Sequence, residues 1–252
     1  MENLSGERKH RHTIVFTIIF VFFIIAVGVG SYFLYVKFDS ELFTIRSAQE
    51  EQYIRHLETN QFLLSTIDWS SIRQKTILFM RDKIVEEWQR IGLKIDYEKA
   101  YKIAEVDVYE CEKYPYIEPL LLLAMQWRES SFIDSSVSPM GAIGINQIMP
   151  STGRMMCLII NASYSKNILY DIKMSTKMAM KLLDILYAEY GSIGQMLAAY
   201  NGGPWQAYYY SNEKSKLCSE TSKYVPEILR KKEQLTEEFK TYKIQNMLIK
   251  YK

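Results

Sequence analysis

The sequence predicts an all-α protein in which one membrane-spanning helix and a helical stalk precede a helical domain. Apolar residues recur at three- and four-residue intervals along most of the chain, and one uncharged apolar run is long enough to cross a bilayer. Glycine and proline separate the periodic segments, as expected of helix ends. We divide the chain into a cytoplasmic N-terminus, an anchor, a stalk, a main domain and a polar tail, at residues 1–13, 14–36, 37–95, 96–230 and 231–252.

The anchor prediction rests on residues 14–36, which contain no charged side chain. A helix of that length can cross roughly 30 Å of hydrocarbon. Arg8, Lys9 and Arg11 precede the run, whereas Asp39 closely follows it, and an excess of basic charge usually stays in the cytoplasm. A cleaved secretory signal is the alternative, but its apolar core usually spans about 7 to 15 residues. We therefore expect a retained single-pass anchor in the cytoplasmic membrane, with the rest of the chain outside.

Composition narrows the possible partners and cofactors. The formal net charge is only +2, which does not indicate nucleic-acid binding. All histidines lie before residue 57, so the main domain has no Ser-His-Asp, Cys-His or histidine-ligated zinc site. We expect no metal and no organic cofactor.

The three cysteines are Cys111, Cys157 and Cys218. An odd number allows at most one internal disulfide, and the sequence does not choose among the three possible pairings. Buried free thiols are the alternative interpretation.

Local signals place several helices. The polar segment 38–66 has scattered leucine and isoleucine residues at helical spacing, which indicates a stalk rather than a sustained coiled coil. A second helix is predicted over 71–91, with Gly92 at its C-terminal end. Asp96 is placed to cap the next helix, and Pro119 opens a leucine-rich helix at the first position, where proline is best tolerated.

The leucine-rich helix ends at Glu129, which shares a face with Leu122, Met125 and Gln126. Arg128 points about 100° away from that face. Apolar neighbours disfavour a carboxylate, and raising its pKa from about 4.3 to about 6 corresponds to roughly 2 to 3 kcal/mol. Such an acid could protonate a sugar acetal near neutral pH. A hydrated glutamate at a frayed helix end is the alternative.

The loop after this helix is rich in glycine. Gly141 and Gly144 imply sharp turns and a close backbone approach, which leaves Ser138, Asn146 and Gln147 to offer hydrogen bonds. Farther on, a glycine turn places a tyrosine and an asparagine at its rim, in residues 197–204. The aromatic residues after that turn either stack on sugar faces or pack between helices.

Together these segments form a recognisable pattern: Glu129-Ser130, Gly141-Ala-x-Gly-x-x-Gln147-x-Met149-Pro150, Ala198-Ala-Tyr-Asn-Gly-Gly-Pro204 and Glu220-Thr-x-x-Tyr224-Val-Pro226. In order, spacing and identity the pattern resembles the catalytic domain of soluble lytic transglycosylases over about residues 96–230. The resemblance implies a lysozyme-like, all-helical fold and cleavage of bacterial peptidoglycan strands between N-acetylmuramic acid and N-acetylglucosamine.

The resemblance also implies roles for individual residues. Glu129 becomes the catalytic acid and base, and the implied substrate-binding residues are Ser138, Gln147, Met149, Tyr200, Asn201 and Tyr224. Asn146 departs from the family, which usually has methionine there. We expect it either to add a polar contact or to alter the groove on the side of the peptide stem.

A single acid suffices for the implied reaction, because the muramyl 2-acetamido group assists and the sugar's own C6 hydroxyl closes a 1,6-anhydro ring. One alternative is a hydrolytic muramidase with Asp134 or Asp171 as second carboxylate, although Asp171 resembles a helix cap. The other is a non-catalytic tether that binds peptidoglycan. An envelope-spanning machine as partner, general wall turnover, and exo- or endo-cleavage all remain open.

Overall fold

The computed structural model describes residues 68–249 together with Lys37. Within 68–249 the chain forms eight α-helices: α1 (Trp69–Arg90), α2 (Tyr97–Cys111), α3 (Pro119–Ser130), α4 (Pro150–Ile159), α5 (Ile172–Tyr190), α6 (Ile193–Gly202), α7 (Pro204–Asn212) and α8 (Ser219–Ile249). Two short 3₁₀ helices and isolated β-bridges in the glycine-rich loop complete this part of the chain, which contains no β-strand. The all-α prediction is confirmed for these residues.

The predicted membrane span at 14–36 and most of the predicted stalk lie outside the described residues. None of the helices between residues 68 and 249 combines the length and apolar character that a bilayer crossing requires.

Helix ends follow local side-chain chemistry. Asp68, Asp96 and Asp171 each accept a hydrogen bond from the backbone amide three residues ahead, at 3.0, 2.9 and 2.8 Å, and so begin α1, α2 and α5. Proline occupies the first position of α3, where the missing N–H costs nothing. Gly191 ends α5 with a φ of 65°, the left-handed conformation that glycine adopts without strain. The predicted caps at Asp96 and Asp171 are therefore confirmed.

Helix α3 lies at the centre of the domain formed by residues 68–249, in contact with α1, α2 and α8. Its residues from Leu120 to Gln126 are all buried. The main hydrophobic core surrounds it and takes side chains from α1, α2, α3, α5, α6 and α8. A smaller core, built by Ile143, Met156, Leu169 and their neighbours, lies beneath the glycine-rich loop. The end of α3 is thereby fixed between these two packed regions.

Helix α1 packs into the main core, although the sequence assigned residues up to 95 to the stalk. Ile77, Met80, Ile84 and Trp88 are buried at helical spacing. Periodicity predicts a helix with an apolar face but does not reveal which surface covers that face.

The predicted polar tail also begins inside a helix, because α8 continues past residue 231 to Ile249. Leu235 is buried, and the ring of Phe239 lies 5.0 Å from that of Phe79 in α1. The apolar face of α8 therefore closes the core over α1.

All three cysteines are unpaired. Cys111 and Cys157 are buried, and burial raises the pKa of both thiols. Cys218 is exposed, and a hydrogen bond with the Thr221 hydroxyl lowers its pKa. The interpretation as buried free thiols therefore holds for Cys111 and Cys157, whereas Cys218 is an exposed free thiol.

The glycine-rich loop offers a test of the fold. A Cβ at Gly144 would lie 2.0 Å from the backbone oxygen of Leu169, whereas a Cβ at Gly141 would meet nothing within 4 Å. Both residues have positive φ, so Gly141→Ala should cost only the left-handed penalty of about 1–2 kcal/mol. Gly144→Ala adds a backbone clash, and we expect a loss of about 3 kcal/mol or more in urea unfolding. Equal losses for the two variants would contradict the described close approach.

Candidate active site

Glu129 lies in the last turn of α3 and faces α8. Its Oε1 accepts a 2.5 Å hydrogen bond from the hydroxyl of Tyr224, which is buried in α8. The two residues are 95 positions apart in the chain. The packing of α3 against α8 therefore brings the predicted acid and Tyr224 together.

The surroundings of Glu129 favour its protonated form. Burial raises the pKa of Glu129 to about 7, while the hydrogen bond from Tyr224 and the charge of Arg128 lower it by smaller amounts. The guanidinium of Arg128 is engaged by Glu227, with Nε 2.9 Å from Oε2. Desolvation has the larger effect on the pKa of Glu129, as the apolar face of α3 indicated. Near neutral pH both the protonated and the ionised form of Glu129 are therefore populated.

Tyr200, from α6, is the second phenol near the acid. Its hydroxyl donates to the backbone oxygen of Asn146 at 2.7 Å. Burial raises the pKa of Tyr200 well above its usual range, and the charge of Glu129 raises it further. Burial and the charge of Glu129 likewise raise the pKa of Tyr224. Two neutral phenols therefore stand beside one carboxyl group.

Asn201 joins the end of α6 to the start of α8. Its Oδ1 accepts a 2.6 Å hydrogen bond from the Thr221 hydroxyl, and its Nδ2 donates to Glu220 at 3.4 Å. The charge of exposed Glu220 raises the pKa of Glu129. Asn201 thus holds the glycine turn at the edge of the site.

Ser138 and Gln147 form hydrogen bonds within the glycine-rich loop. The Ser138 hydroxyl accepts from the Ala142 amide at 3.0 Å, and Gln147 Nε2 donates to the Gly144 oxygen at 2.8 Å. These hydrogen bonds shape the loop, and the roles of Ser138 and Gln147 in substrate binding stay predictions. Met149 follows with 39% of its surface exposed.

Asn146 points into the protein interior. Its side chain is 2% exposed and contacts Gln126, Ser175 and Thr176. Of the two expectations for this position, the added polar contact is confirmed. An altered groove on the side of the peptide stem stays a prediction, because Asn146 does not itself reach the surface.

Asp107 is a buried acid that the sequence interpretation missed. It is fully buried and accepts a hydrogen bond from Gln126 Nε2 at 2.9 Å. Burial raises the pKa of Asp107 to about 8. The signal was present, because this acid interrupts the apolar stripe of α2 between Ala104 and Cys111.

The two carboxylates considered for hydrolysis are engaged elsewhere. Asp134 forms a 2.7 Å ion pair with Lys99. Asp171 caps α5 by accepting from the Met174 amide.

The aromatic residues of α7 divide between two environments. Trp205 is 71% exposed and forms a cluster with Tyr208 and Tyr209, with ring centroids 6.3 Å from each. Tyr210 instead packs against Gly194 of α6, where an added Cβ would touch its ring. The exposed cluster begins immediately after the glycine turn that carries Asn201.

Residues 108–220 match the family model described as Transglycosylase SLT domain, a stretch that includes Glu129 and Asn201 but ends before Tyr224. No curated protein matches the chain. An inactive variant of the lytic transglycosylase Slt from Pseudomonas aeruginosa superposes with a TM-score of 0.51 at 16% identity, covering 74% of this chain and 35% of that one.

The 70 kDa soluble lytic transglycosylase from Escherichia coli gives a TM-score of 0.45 at 21% identity, covering 61% of this chain and 29% of its own. The chain therefore spans about a third of the length of the solved structures that it matches. The Pseudomonas structure shows a shared all-helical fold, and residues 108–220 carry the match to the transglycosylase SLT domain.

Proposed function

We propose that this chain is a membrane-anchored peptidoglycan lytic transglycosylase. It cleaves the β-1,4 bond between N-acetylmuramic acid and N-acetylglucosamine and leaves 1,6-anhydro-muramyl ends. The observation that carries the proposal is Glu129, whose pKa is raised to about 7 by burial, within a stretch that matches the transglycosylase SLT domain.

The reaction uses Glu129 twice. As a neutral acid it protonates the glycosidic oxygen, while the muramyl 2-acetamido group neutralises the developing positive charge. As a carboxylate it then removes the proton from the C6 hydroxyl, which attacks the anomeric carbon and closes the anhydro ring. A pKa near the working pH suits both steps, since neither protonation state is costly to reach.

Tyr224 stabilises the negative charge that Glu129 carries after it has transferred its proton. Its hydroxyl donates to Oε1, so the hydrogen bond becomes stronger once the acid has lost its proton. Tyr224 does not compete for that proton, because its own pKa is raised well above the usual range by burial and by Glu129.

Substrate contacts are assigned to the loop and to the two helix ends around the acid. Met149 offers an exposed apolar side chain, and Tyr200 lies within electrostatic reach of Glu129. Asn201 holds the adjoining turn. Ser138 and Gln147 keep the loop in shape through an accepting Oγ and a donating Nε2, and we assign the Ser138 hydroxyl proton and Gln147 Oε1 to substrate binding.

The proposed location is the bacterial cytoplasmic membrane, with the catalytic domain on the outer side. The uncharged run at 14–36 and the basic residues before it support this placement. An anchored enzyme acts close to its membrane, which favours local opening of the wall for an envelope-spanning machine.

The first prediction concerns the acid itself. Glu129→Gln in the full-length chain should abolish release of anhydro-muropeptides from peptidoglycan, because an amide cannot supply a proton. Binding of peptidoglycan in a pull-down assay should persist. Asp134→Asn is the matched control, since it loses a partly exposed ion pair that is worth about 1 kcal/mol or less and should keep turnover.

Mass spectrometry of the product ends distinguishes the alternatives. Anhydro ends, lighter by one water than reducing ends, support the transglycosylase. Reducing ends, together with activity lost in Asp134→Asn, would establish a muramidase. Binding without turnover by the parent would establish the tether.

The second prediction concerns pH. Glu129 must begin protonated, so kcat/KM should fall as pH rises through the pKa of about 7. Tyr224→Phe removes a hydrogen bond that lowers this pKa, and the alkaline limb should move to higher pH. Tyr200→Phe is the control, because Tyr200 donates to Asn146, and the midpoint should stay in place. A limb that moves in both variants, or in neither, would reject the role of Tyr224.

A further inference from the structure

Beneath the glycine-rich loop lies a buried polar network made of Asp107, Gln126, Asn146, Ser175 and Thr176. Each of these side chains is at most 2% exposed. They come from α2, α3, the loop and α5, so the network joins four separate segments. Polar groups buried this deeply are costly unless their hydrogen bonds are made.

Asn146 is fully satisfied within the network. Its Nδ2 donates to the Ser175 hydroxyl at 3.1 Å and to the Thr176 hydroxyl at 3.3 Å. Its Oδ1 accepts from Gln126 Nε2 at 3.2 Å. The Thr176 hydroxyl in turn faces Asp107 Oδ1 at 3.4 Å.

Two oxygens in the network have no partner: Asp107 Oδ2 and Gln126 Oε1. They belong to a pair of side chains that is already joined, because Gln126 Nε2 donates to Asp107 Oδ1 at 2.9 Å. As long as Asp107 is ionised, both orphan oxygens are acceptors and neither can satisfy the other. One proton on Oδ2 converts them into a donor and an acceptor.

We propose that Asp107 is a neutral carboxylic acid whose Oδ2 hydroxyl donates to Gln126 Oε1. The resulting acid–amide pair is the positioning element for the loop. It holds Gln126, which holds the side chain of Asn146, whose backbone oxygen receives the hydroxyl of Tyr200. Asp107 is thus a positioning residue that acts on the neighbourhood of Glu129 through three hydrogen-bonded partners.

The charges around Asp107 agree with a neutral acid. Burial raises its pKa to about 8, hydrogen bonds from Gln126 and Thr176 lower it less, and the charge of Glu110 raises it. On α2 the buried Glu110 is paired with Lys113 at 2.6 Å, and the neighbouring thiol of Cys111 is neutral. From α3 and α5, Asp107 faces the side-chain amide of Gln126 and the hydroxyl of Thr176. At pH 7 the protonated form of Asp107 therefore prevails.

A side chain of α3 also holds the glycine-rich loop directly. The Ser130 hydroxyl, next to Glu129, donates to the backbone oxygen of Ile145 at 2.8 Å. Consecutive carbonyl groups of the loop, at residues 145 and 146, are therefore bonded by side chains of α3 and α6. A shift of the buried network moves the same backbone that these two side chains hold.

Two substitutions at Asp107 distinguish an acid that donates its proton to Gln126 from an acid that is only buried. Asp107→Asn keeps the shape, and its Nδ2 donates to Gln126 Oε1 at any pH. Asp107→Leu fills similar space but leaves the amide of Gln126 without its partner, which is costly in a dry interior.

Infrared spectroscopy of the full-length protein detects the proton on Asp107 directly. The experiment uses a Glu129→Gln background, which removes the other carboxyl group with a raised pKa. We expect a carboxylic-acid C=O band that persists at pH 7, titrates near pH 8 and is absent when Asp107→Asn is added. A spectrum without that band at pH 7 would overturn the proposal.

Thermal stability tests the protonation of Asp107 a second time and does not depend on enzymatic turnover. The folded-state pKa is raised above the unfolded value of 3.8, so this group favours the folded state at low pH, and its contribution is lost as pH rises towards about 8. In the same background, the melting temperature should fall less steeply over that range when Asp107→Asn is added. Identical slopes would contradict a proton on Asp107.

The positioning role is tested by turnover of peptidoglycan, and this arm rests on the proposed function. Asp107→Leu removes the hydrogen-bonding partner of Gln126, so it should lower kcat about tenfold or more with little change in KM. Asp107→Asn keeps that partner, and its kcat should stay within about twofold of the parent. Equal impairment of the two variants would overturn the positioning role. If the parent has no turnover, the proposed function fails, while the infrared band and the melting slopes still decide whether Asp107 is protonated.

Discussion

The removal of one carboxyl group from water is the constraint on which the site depends. Glu129 lies in the last turn of a helix whose residues from Leu120 to Gln126 are buried, and the packing of α8 against that helix covers the acid with Tyr224. Moving its pKa from 4.5 to about 7 corresponds to about 3 kcal/mol of preference for the neutral form. The apolar core around α3 causes that preference, and as a result a single residue has access to both protonation states near neutral pH.

The same physics acts on a second acid with a different result. Asp107 is also buried, but it is enclosed by the network and does not reach the surface. A proton there completes hydrogen bonds inside the fold, whereas a proton on Glu129 is available for transfer at the partly exposed end of α3. Asn146 connects the two environments, because its side chain belongs to the network and its backbone oxygen binds Tyr200.

Sequence rules predicted the features that depend on neighbouring residues. The caps at Asp96 and Asp171 and the position of Glu129 at a helix end follow from local hydrogen bonds and helical periodicity. The contact between Glu129 and Tyr224 joins residues that are distant in the chain, and only tertiary packing creates it. The direction of Asn146 was equally inaccessible, because it depends on polar partners that two different helices supply.

The most direct test of the account is the titration of Glu129 in the folded protein. Carbon-13 NMR of protein labelled at the glutamate side-chain carboxyl carbon, with the Glu129 signal assigned as the one missing from a Glu129→Gln sample, follows that single group. The account predicts a midpoint near pH 7. A midpoint near 4.5, the ordinary value for a hydrated glutamate, would contradict it.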